Sequence, residues 1–256
     1  MQVNDKQLAV DVRGIGEPII FLHGLGSTNS VWEPQARALS ERFHVIRYDL
    51  EGAGRSPLTG AVSIESWVDD LTAIMDAQKI AKARFVGHSL GTLILQHFTV
   101  KNPEKVVSLA LIGVNRAPNE QRRQAVRERV AKVRAEGIEP IADTIVKGGL
   151  SPHSYDNKLE VVGFVRELLL RQSRDGYAAC CEAMAGSNAA DITKITCPTL
   201  VLSGKDDNVS PAANGEAFAK ELAHGEFQLI EQCGHWQPIE QPAAVSSALA
   251  AFFSKH

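Results

Sequence analysis

Gly87-His88-Ser89-Leu90-Gly91 is a G-x-S-x-G motif that directly follows the strand-like run Arg84-Phe85-Val86 and opens the helix-period stretch Leu90 to Lys101. A serine at such a strand-to-helix turn is held in a strained backbone conformation, with its hydroxyl thrust out above the sheet and small flanking glycines relieving the crowding. The helix that begins at the next residue aims its free N–H groups and its dipole at charge developing there. The chemistry served is nucleophilic attack by Ser89. A serine hydroxyl is a poor nucleophile until a base takes its proton. Three histidines near strand ends compete for that task. His88 adjoins the serine, so its side chain should point away. His23 is expected to brace the loop after Ile19 to Leu22. His235, in Gly234-His235-Trp236, follows the last strand-like run, where a loop can carry an imidazole back over the serine.

A serine nucleophile at this kind of turn takes its partners in the chain order Ser, acid, His. The acid should then follow the run Thr199 to Leu202, in Ser203-Gly204-Lys205-Asp206-Asp207-Asn208-Val209-Ser210-Pro211. Only one of the two adjacent carboxylates can orient the imidazole and stabilise its protonated form. In a G-x-x-D-x-x-x-P pattern the acid stands three after the glycine, which selects Asp207 and leaves Asp206 as a solvated turn residue. The previous strand end, Gly113-Val114-Asn115, holds no carboxylate. A tetrahedral oxyanion needs preorganised donors. The backbone N–H of Leu90 is one candidate. The N–H of Leu25, in the glycine-rich loop His23-Gly24-Leu25-Gly26, is the other. That loop lacks both the G-x-G-x-x-G spacing and a P-loop lysine, so no nucleotide cofactor is expected.

These residues need a scaffold, and the rest of the chain supplies one. At 256 residues it is long enough for one large α/β domain with an insertion. Short apolar runs (Leu8 to Val12, Ile19 to Leu22, His44 to Tyr48, Arg84 to Gly87, Val107 to Ile112, Thr199 to Leu202, Phe227 to Ile230) alternate with amphipathic stretches at Ser63 to Gln78, Leu90 to Lys101, Pro211 to Leu222 and Pro242 to Phe253. Strands crossed over by helices imply a mostly parallel sheet. The Gly-rich turn Arg13 to Pro18 reads as a hairpin joining the first two strands, so an antiparallel edge is expected. From Ala117 to Ala190 no strand-like run occurs, and breaks at Gly137, Gly148-Gly149 and Ser151-Pro152 divide the segment into helices. Inserted between parallel strands, it would form a cap over their carboxyl ends, where ligands bind in such sheets. The expected division is a core of residues 1–116 and 191–256 with a helical cap of residues 117–190.

A formal net charge of −3 argues against a nucleic-acid partner. No apolar run approaches bilayer length, and the polar start Met1 to Lys6 lacks the apolar core of a signal peptide, so a cytoplasmic location is expected. Four cysteines without a C-x-x-C spacing read as reduced, mostly buried thiols, with no metal site implied.

With these pieces assembled, the chain resembles the α/β-hydrolase superfamily over essentially its whole length: His23-Gly24, Tyr48-Asp49-Leu50-Glu51-Gly52-Ala53-Gly54-Arg55-Ser56, the Ser89 turn, the acid loop and Cys233-Gly234-His235. In that superfamily Asp49, Arg55 and Ser56 organise a loop near the site. A serine nucleophile sets the chain apart from the dehalogenase and epoxide-hydrolase branches, which use aspartate. Within the superfamily it is most similar to the 3-oxoadipate enol-lactonases of aromatic catabolism, the likeness extending to Val133-Arg134-Ala135-Glu136-Gly137-Ile138 and Gly176-Tyr177-Ala178-Ala179-Cys180-Cys181. It departs from them at Lys147-Gly148-Gly149-Leu150-Ser151-Pro152, where they carry an Arg-Trp-Phe-type stretch, and at Thr92, where they carry a second glycine. A pocket without those aromatic walls, wider or shaped for another substrate, is expected.

The resemblance implies hydrolysis of a small carboxylic ester or lactone through an acyl-serine. Two other reactions share the fold and residues, namely meta-cleavage C–C bond hydrolysis and perhydrolysis. A ligand receptor on a hydrolase scaffold is the non-enzymatic alternative. An enol-lactone of 3-oxoadipate is an anion, and the stretch Asn119 to Glu136 carries six basic residues against three glutamates. A solvated face with intrahelical ion pairs is the ordinary reading of such a run. The sharper expectation is that Arg134, inside the lactonase-like segment, holds a substrate carboxylate.

Overall fold

The computed structural model describes residues 1–256. A short antiparallel pair, β1 (Gln2–Val3) and β2 (Lys6–Gln7), precedes a seven-stranded sheet. The sheet strands are β3 (Val10–Arg13), β4 (Glu17–Leu22), β5 (Phe43–Tyr48), β6 (Ala83–His88), β7 (Val106–Ile112), β8 (Thr199–Gly204) and β9 (Gly225–Ile230), in the order β3-β5-β4-β6-β7-β8-β9. β3 runs antiparallel and all the other pairings are parallel. The antiparallel edge is therefore present, but the expected hairpin is not. β5 inserts between β3 and β4, pairing Val10 with Tyr48 on one side and Ile19 with Val45 on the other. A Gly-rich turn specifies a reversal of direction; which strand fills the space between its arms is decided by packing further along the chain.

β4, β6, β7 and β8 are buried along nearly their whole length, as expected of strands covered on both faces. The covering helices are α1 (Glu33–Leu39), α2 (Ile64–Ala77), α3 (Leu90–Lys101), α9 (Ala212–Glu221) and α11 (Pro242–Phe253). α1 packs on α11 and α2 on α3. α2 begins where the sequence says it should. The Ser63 hydroxyl accepts the Ser66 N–H at 3.1 Å and the Ser66 hydroxyl accepts the Ser63 N–H at 2.9 Å, a reciprocal cap.

Between β7 and β8 lie α4 (Glu120–Glu136), α5 (Glu139–Gly149), α6 (Pro152–Asn157), α7 (Leu159–Leu170) and α8 (Arg174–Gly186), with the short α10 (Gln237–Glu240) following β9. α4 stops at Gly137, whose φ of 87° is one that glycine adopts freely. α6 starts from a Ser151 cap with proline in its first turn. No helix is long and apolar enough to cross a membrane. The cysteines are all free; Cys180, Cys181 and Cys233 are buried and Cys197 partly so.

Candidate active site

Ser89 sits in the turn from β6 to α3 with φ 52° and ψ −113°, a strained backbone that surrounding packing must impose. A Cβ on Gly87 would lie 2.8 Å from the backbone of Gly91, and a Cβ on Gly91 would lie 2.5 Å from the Leu22 carbonyl oxygen. Glycine alone fits at both places, so the motif's spacing lets α3 start hard against the sheet. The Ser89 N–H donates to the Ile112 carbonyl on β7 at 3.0 Å and fixes the turn to its neighbouring strand.

The structure brings Ser89, His235 and Asp207 together. His235 Nε2 is 2.9 Å from Ser89 Oγ, and its Nδ1 is 2.9 Å from Asp207 Oδ2. The carboxylate can only accept, so Nδ1 carries the proton and Nε2 is free to accept the serine O–H. Asp207 Oδ1 accepts the N–H groups of Val209 at 2.8 Å and Ser210 at 2.7 Å, and Gln237 Nε2 donates to Oδ2 at 3.1 Å. Burial pushes the Asp207 carboxyl up, but the charge and hydrogen bond of His235 and these N–H donors outweigh it, holding its pKa below the usual carboxylate value. Asp206 is half-exposed and takes no part in this chain of bonds.

The other two histidines fall where the sequence suggested. His23 is buried, with Nε2 accepting the Leu50 N–H at 3.0 Å and Nδ1 donating to the Gly24 carbonyl at 2.8 Å, so it braces two loops. His88 Nε2 donates to the His235 carbonyl at 2.7 Å; burial first, then the neighbouring His235, drives its pKa down to about 3. Asp49 accepts the N–H groups of Asn29 at 2.7 Å and Arg55 at 3.0 Å, while the Ser56 hydroxyl donates to the Asp49 carbonyl at 2.7 Å. These three residues tie loops together.

Leu90 is the first residue of α3, so its N–H has no intrahelical partner. The loop carrying Leu25 presses on the serine: a Cβ on Gly24 would lie 2.9 Å from Ser89 Cβ. Ser89 and His235 open into a cavity of about 250 Å³ that is also lined by Leu25, Arg122, Arg129, Tyr177 and Trp236. Trp236 reaches the wall because residue 149 is glycine; a Cβ there would lie 2.8 Å from the indole Nε1. The Lys147 to Pro152 stretch gives the wall only Gly148 and Gly149, and the aromatic surface of the cavity comes from Trp236 and Tyr177.

Arg134 does not line this cavity. Its side chain is 54% exposed and pairs with Glu182 at 2.8 Å on a separate surface groove. The reason is helix phase. Arg122, Ala125, Val126 and Arg129 follow the i, i+3, i+4, i+7 spacing of one face and all line the Ser89 cavity. Arg134, five residues beyond Arg129, is rotated about 140° away from it. Arg122 and Arg129 stand free of carboxylate partners, whereas Arg127, Arg134 and Arg166 of the same insertion are each paired with one. Burial first, and then the like charge of Arg129, lower the pKa of Arg122 against the opposing pull of Asp207.

Three further residues at the site carry no recognisable sequence signal of their own. Asn115 Nδ2 lies 3.0 Å from Ser89 Oγ. Gln237 supports Asp207. Glu240, with no solvent exposure, accepts the N–H groups of Gly234 at 3.0 Å, Ser151 at 2.9 Å and Trp236 at 2.9 Å, locking the His235 loop to the insertion.

A family model described as the alpha/beta hydrolase fold matches residues 17–242. The chain belongs to the α/β-hydrolase family. The hydrolase is 30% identical over 239 residues to 3-oxoadipate enol-lactonase 2 of Acinetobacter baylyi, covering 93% of this chain and 88% of that enzyme. Its structure superposes on a thermophilic esterase from Thermogutta terrifontis, solved with malate bound, with a TM-score of 0.93 at 29% identity, covering 98% of this chain and 94% of that one. It also superposes on the enol-lactonase from Burkholderia xenovorans with a TM-score of 0.92 at 27% identity, covering 99% of each chain.

Proposed function

We propose that this hydrolase cleaves a carboxylic ester or lactone that carries a negative charge, by way of an acyl-serine on Ser89. His235 takes the Ser89 proton as Oγ bonds to the carbonyl carbon, and the N–H groups of Leu25 and Leu90 receive the developing oxyanion. Collapse breaks the bond to the leaving oxygen, which takes the proton from His235; in a lactone the resulting hydroxyl, an enol where the substrate is an enol-lactone, stays tethered to the acyl group. Water, deprotonated by His235, then attacks the acyl carbon and releases Ser89. Asp207 holds the imidazole in the Nδ1–H tautomer and stabilises the imidazolium of each half-reaction. The observation that carries this reading is the Ser89–His235–Asp207 relay, with both links at 2.9 Å, opening into a cavity of about 250 Å³.

The charge preference is carried by Arg122 and Arg129, two cavity-lining guanidinium groups without a carboxylate partner. A free carboxylate on the substrate would supply one. The model substrate is the enol-lactone of 3-oxoadipate, the class named for the Acinetobacter relative, and the insertion α4–α8 acts as the cap that shapes its pocket. The test compares kcat/KM of the purified protein for anionic lactones, neutral lactones and aryl esters, and a ring-fission diketone. Fastest turnover of an anionic lactone is expected. Fastest turnover of the diketone, or binding of every compound without turnover, would overturn the reading.

A further inference from the structure

The geometry points to Asn115 as a second hydrogen-bonding partner of the nucleophile, a catalytic residue that favours release of Ser89 from its acyl ester. Asn115 follows β7 and is 5% exposed. Its Nδ2 donates to Ser89 Oγ at 3.0 Å while its Oδ1 accepts the Ser210 hydroxyl at 3.1 Å. The serine proton is directed at His235, so the Asn115 atom facing Oγ has to be the donor. The rest of the residue is pinned. Its backbone N–H donates to Thr92 Oγ1 at 3.0 Å, its carbonyl accepts Gln96 Nε2 at 2.8 Å, and Thr92 Oγ1 donates in turn to the Ser89 carbonyl at 2.6 Å. Thr92 stands where the resembling lactonases carry a second glycine, and its hydroxyl is what joins Asn115 to the Ser89 turn.

The consequence follows from how well Oγ accepts a hydrogen bond in each state. In the free enzyme Oγ is an alcohol oxygen polarised by His235 and is a good acceptor. In the acyl-enzyme it is the alkyl oxygen of an ester, whose lone pair is delocalised into the carbonyl and accepts weakly. The Asn115 bond therefore stabilises free Ser89 over acylated Ser89. When the second tetrahedral adduct collapses, the C–Oγ bond breaks, its electron pair returns to Oγ, and His235 returns the proton. Asn115 meets the charge reappearing on that oxygen. A net hydrogen bond of ordinary strength corresponds to roughly a 3- to 10-fold effect. The inference rests on the acyl-serine reading above.

The test is rapid-quench mass spectrometry of the Ser89 peptide during turnover of saturating p-nitrophenyl acetate. The ratio of acylated to free Ser89 at steady state measures acylation against deacylation. Asn115→Ala should raise that ratio roughly 3- to 10-fold with a fall in deacylation rate. Ser210→Ala, which removes only the hydroxyl that orients the amide, should shift it in the same direction by less, and guards against misfolding of the first variant. An unchanged or lowered ratio in folded Asn115→Ala, with both half-reactions slowed alike, would assign Asn115 a packing role and overturn the inference. No acylated Ser89 in wild type or variants would instead overturn the acyl-serine reading itself.

Discussion

The two walls of the candidate site are built on different principles. On the sheet side the groups that position Ser89 are held by several hydrogen bonds each: Asp207 accepts four, His235 is held at both nitrogens, and Asn115 bridges Ser89 and Ser210. On the insertion side, α4 buries only Val126, Val130 and Val133 and turns two unpaired guanidinium groups toward the cavity. A densely hydrogen-bonded buried network holds a single geometry, which bond-making requires. A wall with unpaired charge is built for a partner that arrives from solution. On the proposed reading, the loops at strand ends specify the reaction and the rotation of one helix specifies the substrate.

The sharpest way to break this comparison is at the acid. Asp207→Asn should lower kcat by up to about 10⁴-fold, since it removes the tautomer control and the charge opposite the imidazolium, while Asp206→Asn should stay within about two-fold. Steady-state kinetics of the two variants decides it; a crippled Asp206→Asn would shift the acid by one residue. On the insertion wall the effect should be smaller and selective. Arg122→Ala or Arg129→Ala should each lower kcat/KM for an anionic lactone roughly 10- to 100-fold, the worth of a charged hydrogen bond, and hardly touch a neutral ester. Arg134→Ala should do neither. Equal losses on both substrates would mean that the arginines hold the insertion together instead.

A further expected effect is on stability, and it belongs to the sheet wall. His88 has a folded pKa of about 3, against about 6.5 for an unperturbed histidine. Between those values the unfolded chain binds a proton that the folded protein refuses, so His88 erodes stability as pH falls from about 6.5 toward 3, by at most about 1.4 kcal/mol per pH unit. His88→Gln, which keeps a donor for the His235 carbonyl, should flatten the dependence of urea midpoint on pH in that window. An unchanged slope would show that His88 does not titrate there.

Much of the sheet wall was legible in the sequence because its residues sit at strand ends marked by glycines, and a strand end leaves a side chain few directions to take. Ser89, Asp207 and His235 were readable for that reason, and the structure brings them within hydrogen-bonding distance. Asn115 bears no such mark, because the end of β7 holds no carboxylate and an amide there matches no catalytic pattern. The likeness of its segment to a lactonase cap favours Arg134, but likeness locates a helix without giving its rotation. The buried valines of α4 do not decide it either: Arg129 and Arg134 flank the Val126–Val130–Val133 stripe by about 70° on opposite sides, and only the packing of the helix over the sheet selects the Arg129 side. The β3–β5 pairing was illegible for another reason: the turn at Gly14 and Gly16 is local, whereas the strand that fills the gap arrives some thirty residues later.

Whether Ser89 is an activated nucleophile can be read by intact-mass and peptide mass spectrometry after treatment with a fluorophosphonate. One phosphonyl group per chain is expected, carried on Ser89, with labelling slowed at least roughly a hundred-fold in His235→Ala, since without its base the serine hydroxyl is a poor nucleophile. An unlabelled Ser89 in the folded wild-type protein, or equal labelling with and without His235, would contradict it.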